Sequence, residues 1–258
     1  MEEMYSDIHQ GLSLEVTDNK PILFSVGHRC TSASLIKELR LRFETHPFDW
    51  VVSKLNTIVH CIETDFSEFL NPENYENFQT ETFNLCDGVK SHICFENPII
   101  NIHYEKDAGD NKIGTYGFNL ATTHHDIRDE HDAEYFQRCI ARFNKLLQSD
   151  ERKFYLYVHP IMGLAQYNEE NVGLQTQFTA FSEYMNDKTK NAKGLYFFIV
   201  KNEERKSQID LLFQNNSCII HVLYANNNLL DGGAVFSGDF YNEQYVLLTT
   251  IEKFIYST

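Results

Sequence analysis

The stretch ILFSVGHRCTSASLIKEL (residues 22–39) decides the reading of this chain. Opened by Pro21, an apolar run of strand length closes at Gly27, so PILFSVG (21–27) predicts a buried strand. TSASLIKELRLRF (31–43) then carries Leu35, Ile36, Leu39 and Phe43 at helical spacing, with Thr31 or Ser32 as N-cap. Cys30 therefore falls at the first turn of a helix that follows a strand. Free N–H groups and partial positive charge at a helix start stabilise a thiolate, and His28 and Arg29 beside it act in the same direction. The small residues that follow leave room for a substrate, and the backbone N–H groups of Cys30 and Thr31 are candidate oxyanion donors. The glycine supports less. SVGHRC contains neither GxGxxG, nor a P-loop, nor GxSxG, so Gly27 implies a tight turn rather than a nucleotide site.

Beyond this unit, helices and strands alternate. VSKLNTIVHCIETDFSEFL (52–70) reads as an amphipathic helix broken near Asp65. EHDAEYFQRCIARFNKLLQSD (130–150) carries a clean apolar stripe through Tyr135, Phe136, Cys139, Ile140, Phe143, Leu146 and Leu147. KFYLYVHP (153–160) and GLYFFIVK (194–201) predict strands, as do IDLLFQ and SCIIHVLY, while 171–187 and the C-terminal tail predict helices. ICFENPIINIHYE (93–105) reads as one or two short strands. Residues 71–92 and 106–123 are polar or Gly- and Asp-rich and read as long loops; residues 1–20 read as a polar arm. The alternation predicts an α/β fold, one domain over 21–258 with a largely parallel central sheet flanked by helices.

Composition narrows the function. Across 258 residues, 22 Lys and Arg against 37 Asp and Glu give a net charge of −15, a field that repels nucleic acid and anionic membrane. The longest apolar runs have strand length, well short of the roughly 20 residues a membrane span needs, and the acidic N-terminus is unlike a secretory signal. The six cysteines form no CxxC pair, which argues against zinc ribbons and for reduced thiols in a cytoplasmic protein.

Two further segments hold candidate chemistry. THHDIRDEHD (123–132) crowds His124, His125, Asp126, Asp129 and His131 before a helix. His125 or His124 is a candidate base for Cys30, with a carboxylate to orient it. In extended backbone, however, His125 and Asp126 face opposite ways, and Asp129 reads as the N-cap of the following helix. A metal reading finds ligand-type side chains here but no spaced motif, so none is expected. HPFDW (46–50) offers Asp49 between two aromatic residues, either a surface turn acid or an acid that orients a histidine. His60, His92, His103, His159 and His221 read as core or surface residues.

Taken together, SVGHRC before a helix, PFDW about twenty residues on and DFSEFLNPENY resemble the opening of the papain-like cysteine peptidase family of bacteria and large DNA viruses. HHD followed by EYFQRCIARFNKLL resembles that family's His-Asp segment and helix, and KFYLYVHP its strand; the likeness covers roughly residues 20–160. The resemblance implies Cys30 as nucleophile, His125 or His124 as base, and Asp126 or Asp49 as third member. A papain-like fold would be α+β, which is the alternative to the α/β architecture. The expected function is a thiol-dependent peptidase or related acyl hydrolase or transferase acting without a cofactor on a peptide or acyl substrate, in the host cytoplasm if viral. The alternatives are a glycan or nucleotide-sugar transferase on an α/β scaffold and a non-enzymatic viral interaction protein.

Overall fold

The computed structural model describes residues 21–28, 30–78, 88–91, 105–108, 112–115, 120–122, 125–161, 164–201, 208–225 and 241–257. The N-terminal arm, the strand expected within 93–105 and His124 lie outside them, apart from Glu105. The centre is a five-stranded sheet in the order β1 (Ile22–Ser25), β8 (Lys153–Ile161), β9 (Ala192–Lys201), β11 (Cys218–Ala225), β10 (Gln208–Gln214). The first four are parallel neighbours, and β10 closes the edge antiparallel to β11.

Period-two alternation along these strands builds two cores. Phe154, Leu156 and Val158 of β8 join Leu195, Phe197 and Ile199 of β9 on one face. There they pack against Leu35 and Ile36 of α1 (Cys30–Glu38) and Leu247, Ile251 and Phe254 of α5 (Tyr241–Ser257). Tyr155, Tyr157, Tyr196, Phe198 and Val200 point to the other face, where α2 (Leu55–Glu63), α3 (Glu130–Gln148) and α4 (Leu164–Lys188) cover them. Strands buried on both faces read as near-continuous apolar runs, as β9 does. The expected α/β architecture with a largely parallel sheet flanked by helices is therefore what the chain forms at its centre.

Several boundaries differ from the sequence reading, each for a local reason. The first helix stops at Glu38, not Phe43, because Arg40 takes a left-handed conformation (φ 56°). Leu41 N–H then donates to Ile36 O and Arg40 N–H to Lys37 O, a Schellman closure that leaves Phe43 66% exposed. The second helix breaks after Glu63; Asp65 (φ 46°) and Phe66 (φ 59°) turn the chain so that Phe66 and Phe69 still enter the core. The segments read as long loops contain strands. β3 (Tyr75–Phe78) and β4 (Gly88–Ser91) pair, and with β2 (Val51–Ser53) and β7 (Leu120–Thr122) form an antiparallel sheet in the order β2-β7-β4-β3. β5 (Glu105–Ala108) and β6 (Lys112–Thr115) form a hairpin.

Candidate active site

The chain leaves β1 through a tight elbow. Val26 N–H still donates to Leu156 O (3.2 Å), and Gly27 (φ 92°) and His28 (φ 66°) then both take left-handed backbone before α1 begins at Cys30. A glycine reaches this region without cost, whereas a side chain there costs roughly 1–2 kcal/mol. Gly27 is needed for a second reason: a Cβ there would stand 2.1 Å from Ser53 Oγ. Gly27 N–H donates to Ser25 Oγ (3.1 Å). Ser32, fully buried, ties α1 to the sheet by donating to Gly27 O (3.2 Å) and accepting from Val158 N–H (3.1 Å).

His28 is held in place by packing. It is 3% exposed, its Nδ1 shares a hydrogen bond with the Tyr157 hydroxyl (3.3 Å), and its ring lies 4.6 Å from that of His159. His159, read from sequence as a core or surface residue, is buried, and its place near the carboxyl end of β8 sets it beside the elbow. β1 leads into α1 on one face of the sheet, while the neighbouring β8 leads into α4 on the other. Such a divergence opens the crevice in which open α/β sheets bind ligands.

Cys30 is partly exposed, whereas Cys61, Cys139 and Cys218 are buried. Burial pushes the thiols of those three upward in pKa. Among the described residues Cys30 is thus the cysteine combining access with a helix start.

His125 stands five residues before α3, which begins at Glu130. Four residues separate the end of that helix from β8, and its Phe143 packs edge-on against Phe24 of β1. The expected partner of His125 was Asp126; the carboxylate the structure sets on its Nδ1 is that of Asp132 (2.9 Å). The helix start explains the change. Asp129 caps α3 by accepting from His131 N–H and Asp132 N–H, and the first turn carries Asp132 back over the preceding segment, where it also accepts from Asp126 N–H (2.8 Å). Burial pushes the Asp132 carboxyl up, but the hydrogen bonds from Asp126 N–H and His125 lead the influences that outweigh it and hold it below its usual range. An ionised Asp132 only accepts, so His125 Nδ1 donates to it. The His125 ring stacks on Tyr135 (4.4 Å). Both Asp126 carboxylate oxygens go to Arg128, whose hydrogen bond holds that carboxyl low in pKa.

Asp49 lies in the loop between α1 and β2. Its Oδ2 accepts from His46 N–H (3.1 Å) and pairs with Arg42 (3.2 Å). Burial raises its pKa to about 6 against those two influences. Burial, then the charges of Arg142 and Arg42, lower that of His46 to about 4. Asp49 therefore organises the loop between α1 and β2. Of the metal-type cluster read from sequence, the structure groups His131 with Asp129 and Asp132, ligand atoms within 4.8 Å of one another, where Asp129 serves as the helix cap.

Sequence reading also missed two polar side chains at the start of α2. Ser53 is 1% and Asn56 5% exposed. Asn56 Oδ1 accepts from Thr57 N–H (2.9 Å), which fixes which end of the amide is nitrogen, and Nδ2 and Ser53 Oγ are enclosed without a hydrogen-bond partner. The local signal was a serine and an asparagine flanking a helix start that Lys54 does not cap.

Comparison with known proteins places most of the chain in one family. The family model described as "Putative papain-like cysteine peptidase" matches residues 22–201, from the first residue of β1 to the last of β9. An uncharacterized protein of Acanthamoeba polyphaga mimivirus is 29% identical over 140 residues, 54% of this chain and 57% of that protein. The chain thus matches little more than half the length of this curated relative. No solved structure matches.

Proposed function

The chain belongs to the family described as putative papain-like cysteine peptidases, and from that premise we propose that it is a thiol-dependent acyl hydrolase with Cys30 as nucleophile and His125 as base. The observation that carries the reading is Cys30 itself, a partly exposed thiol at the first residue of a helix that leaves the carboxyl end of a parallel strand. The thiol proton passes to His125, whose Nδ1–H is held by Asp132, so the accepting nitrogen is Nε2. The thiolate attacks the acyl carbon, the imidazolium returns the proton to the leaving group, and water then releases the acyl chain from sulfur. Asp132 takes the orienting role that the sequence offered to Asp126 or Asp49.

The test is the pH dependence of alkylation at each cysteine of the native protein, read by peptide mass spectrometry in wild type and His125→Ala. Cys30 should react fast well below the free-thiol pKa of about 8.5, with the variant markedly slower. A Cys30 no faster than Cys61, Cys139 and Cys218, or one indifferent to His125→Ala, defeats the reading.

A further inference from the structure

The N-terminal turn of α2 poses a problem that its fold role does not solve. Leu55, Asn56, Thr57 and Ile58 are all buried, so the helix start is sunk into the protein. Lys54 supplies no side-chain cap. A buried helix start without a side-chain cap, beside two enclosed donors without acceptors, costs stability and calls for an explanation. Ser53 Oγ lies against Gly27, three residues before Cys30, closer than a Cβ there would allow. With its carbonyl oxygen held by Thr57 N–H, Asn56 presents the amide nitrogen, a donor whose direction is set in advance. Two donors, a positive helix end and a glycine that lets Ser53 Oγ press against the elbow all suit one ligand feature: an acyl oxygen that gains negative charge.

The geometry points to Ser53 Oγ and Asn56 Nδ2 as donors to the acyl oxygen of a substrate held on Cys30. This rests on Cys30 as nucleophile. As sulfur bonds to the acyl carbon, the C=O π pair moves onto oxygen, and Ser53 O–H and Asn56 N–H donate to that oxyanion. When the pair returns, the carbon–leaving-group bond breaks and the leaving group departs with the proton from His125. Pre-set donors in an enclosed site stabilise such an oxygen without reorganising. The same donors do nothing for a displacement at an sp3 carbon, where no oxyanion forms.

The difference supplies the test, run on the full chain as wild type, Ser53→Ala and Asn56→Ala. Acylation of Cys30 by p-nitrophenyl acetate is followed as p-nitrophenolate release, and alkylation by iodoacetamide is followed beside it. Asn56→Ala should slow acylation about 10²–10³-fold, the loss typical of one oxyanion donor. Ser53→Ala, which removes only an unbonded hydroxyl and so retains the fold, should slow it in the same direction. Alkylation should change little in either. Acylation unchanged in both variants overturns the assignment. So does a parallel loss of acylation and alkylation, which would mean the residues act on the thiol or the fold. A wild-type Cys30 inert to both reagents defeats the nucleophile reading and this assignment with it, whereas fast alkylation with donor-independent acylation defeats this assignment alone.

Discussion

Replacing Gly27 by alanine separates two demands that the elbow makes at one atom. The backbone demand is conformational: at φ 92° a side chain meets its own carbonyl neighbours, at roughly 1–2 kcal/mol. The packing demand is the added Cβ, 2.1 Å from Ser53 Oγ but an ordinary 3.5 Å from Ser53 Cβ and 3.6 Å from Phe48 Cβ. Forcing extra volume into a packed site costs roughly 1–3 kcal/mol, so Gly27→Ala should lose about 2–5 kcal/mol in all. Ser53→Ala removes the atom responsible for the overlap and keeps the one that is tolerated. In that background Gly27→Ala should cost only the conformational part, about 1–2 kcal/mol. Ser53→Ala alone should be neutral or stabilising, because the hydroxyl it removes is buried without a partner. Urea unfolding of the four proteins at constant m gives the coupling directly, expected at about 1–3 kcal/mol in the rescuing sense. Additivity to within about 0.5 kcal/mol would refute the close approach of Ser53 to Gly27.

The buried pair at the α1–β2 loop makes a pH prediction. Asp49, raised from 3.8 to about 6, contributes stability below pH 3.8 that is lost as pH rises to 6; His46, lowered from 6.5 to about 4, contributes stability above pH 6.5 that is lost as pH falls to 4. Each shift is worth about 3 kcal/mol, and in the wild type the two oppose each other. Urea midpoints at pH 7, 5.5 and 4 should show Asp49→Asn losing more stability in acid than wild type and His46→Gln losing less; equal slopes in all three would contradict the opposed shifts. Ser32→Ala should cost about 1–3 kcal/mol, since Val158 N–H and Gly27 O both lose their partner, and it should lower Cys30 alkylation by loosening the start of α1. Unchanged stability would show that the serine bridge is not what fixes that helix.

What was legible in the sequence follows from how far each signal reaches. The stripe of α3 and its Asp129 cap are local, and the unbroken apolar run of β9 follows from burial on both faces. The strands YENF, GVKS, EKDA and KIGT are short, polar and without an apolar run, so they read as loop, even where EKDA and KIGT pair as a local hairpin. Phe43 misled because the helical period continues past the left-handed Arg40 that ends the helix. At the site, Cys30 was visible because a strand, a glycine and a helix start adjoin it in sequence. Asp132 was not, because its approach to His125 depends on where Asp129 starts the helix. His159 was read as core because only the pairing of β1 with β8 brings it to His28.

The proposed cysteine–histidine chemistry needs no papain-like antiparallel strand for the histidine. In a parallel sheet, a helix that follows a strand begins at the carboxyl edge. A helix that precedes a strand runs back against it and begins at that edge too. α1 follows β1 and α3 precedes β8, the strand paired with β1, which is the order that the proposed pairing of Cys30 with His125 requires. The family match ends with β9 and so contains both. α5 lies beyond it, yet Leu247, Ile251 and Phe254 share one core with Leu35 and Ile36 of the cysteine's helix. Cutting the chain after Lys201 would expose that core and loosen α1, so loss of thiol reactivity in such a fragment would report on packing rather than chemistry. The single substitutions at Ser53, Asn56 and His125 leave that face intact, and they are therefore the perturbations that can tell the two apart.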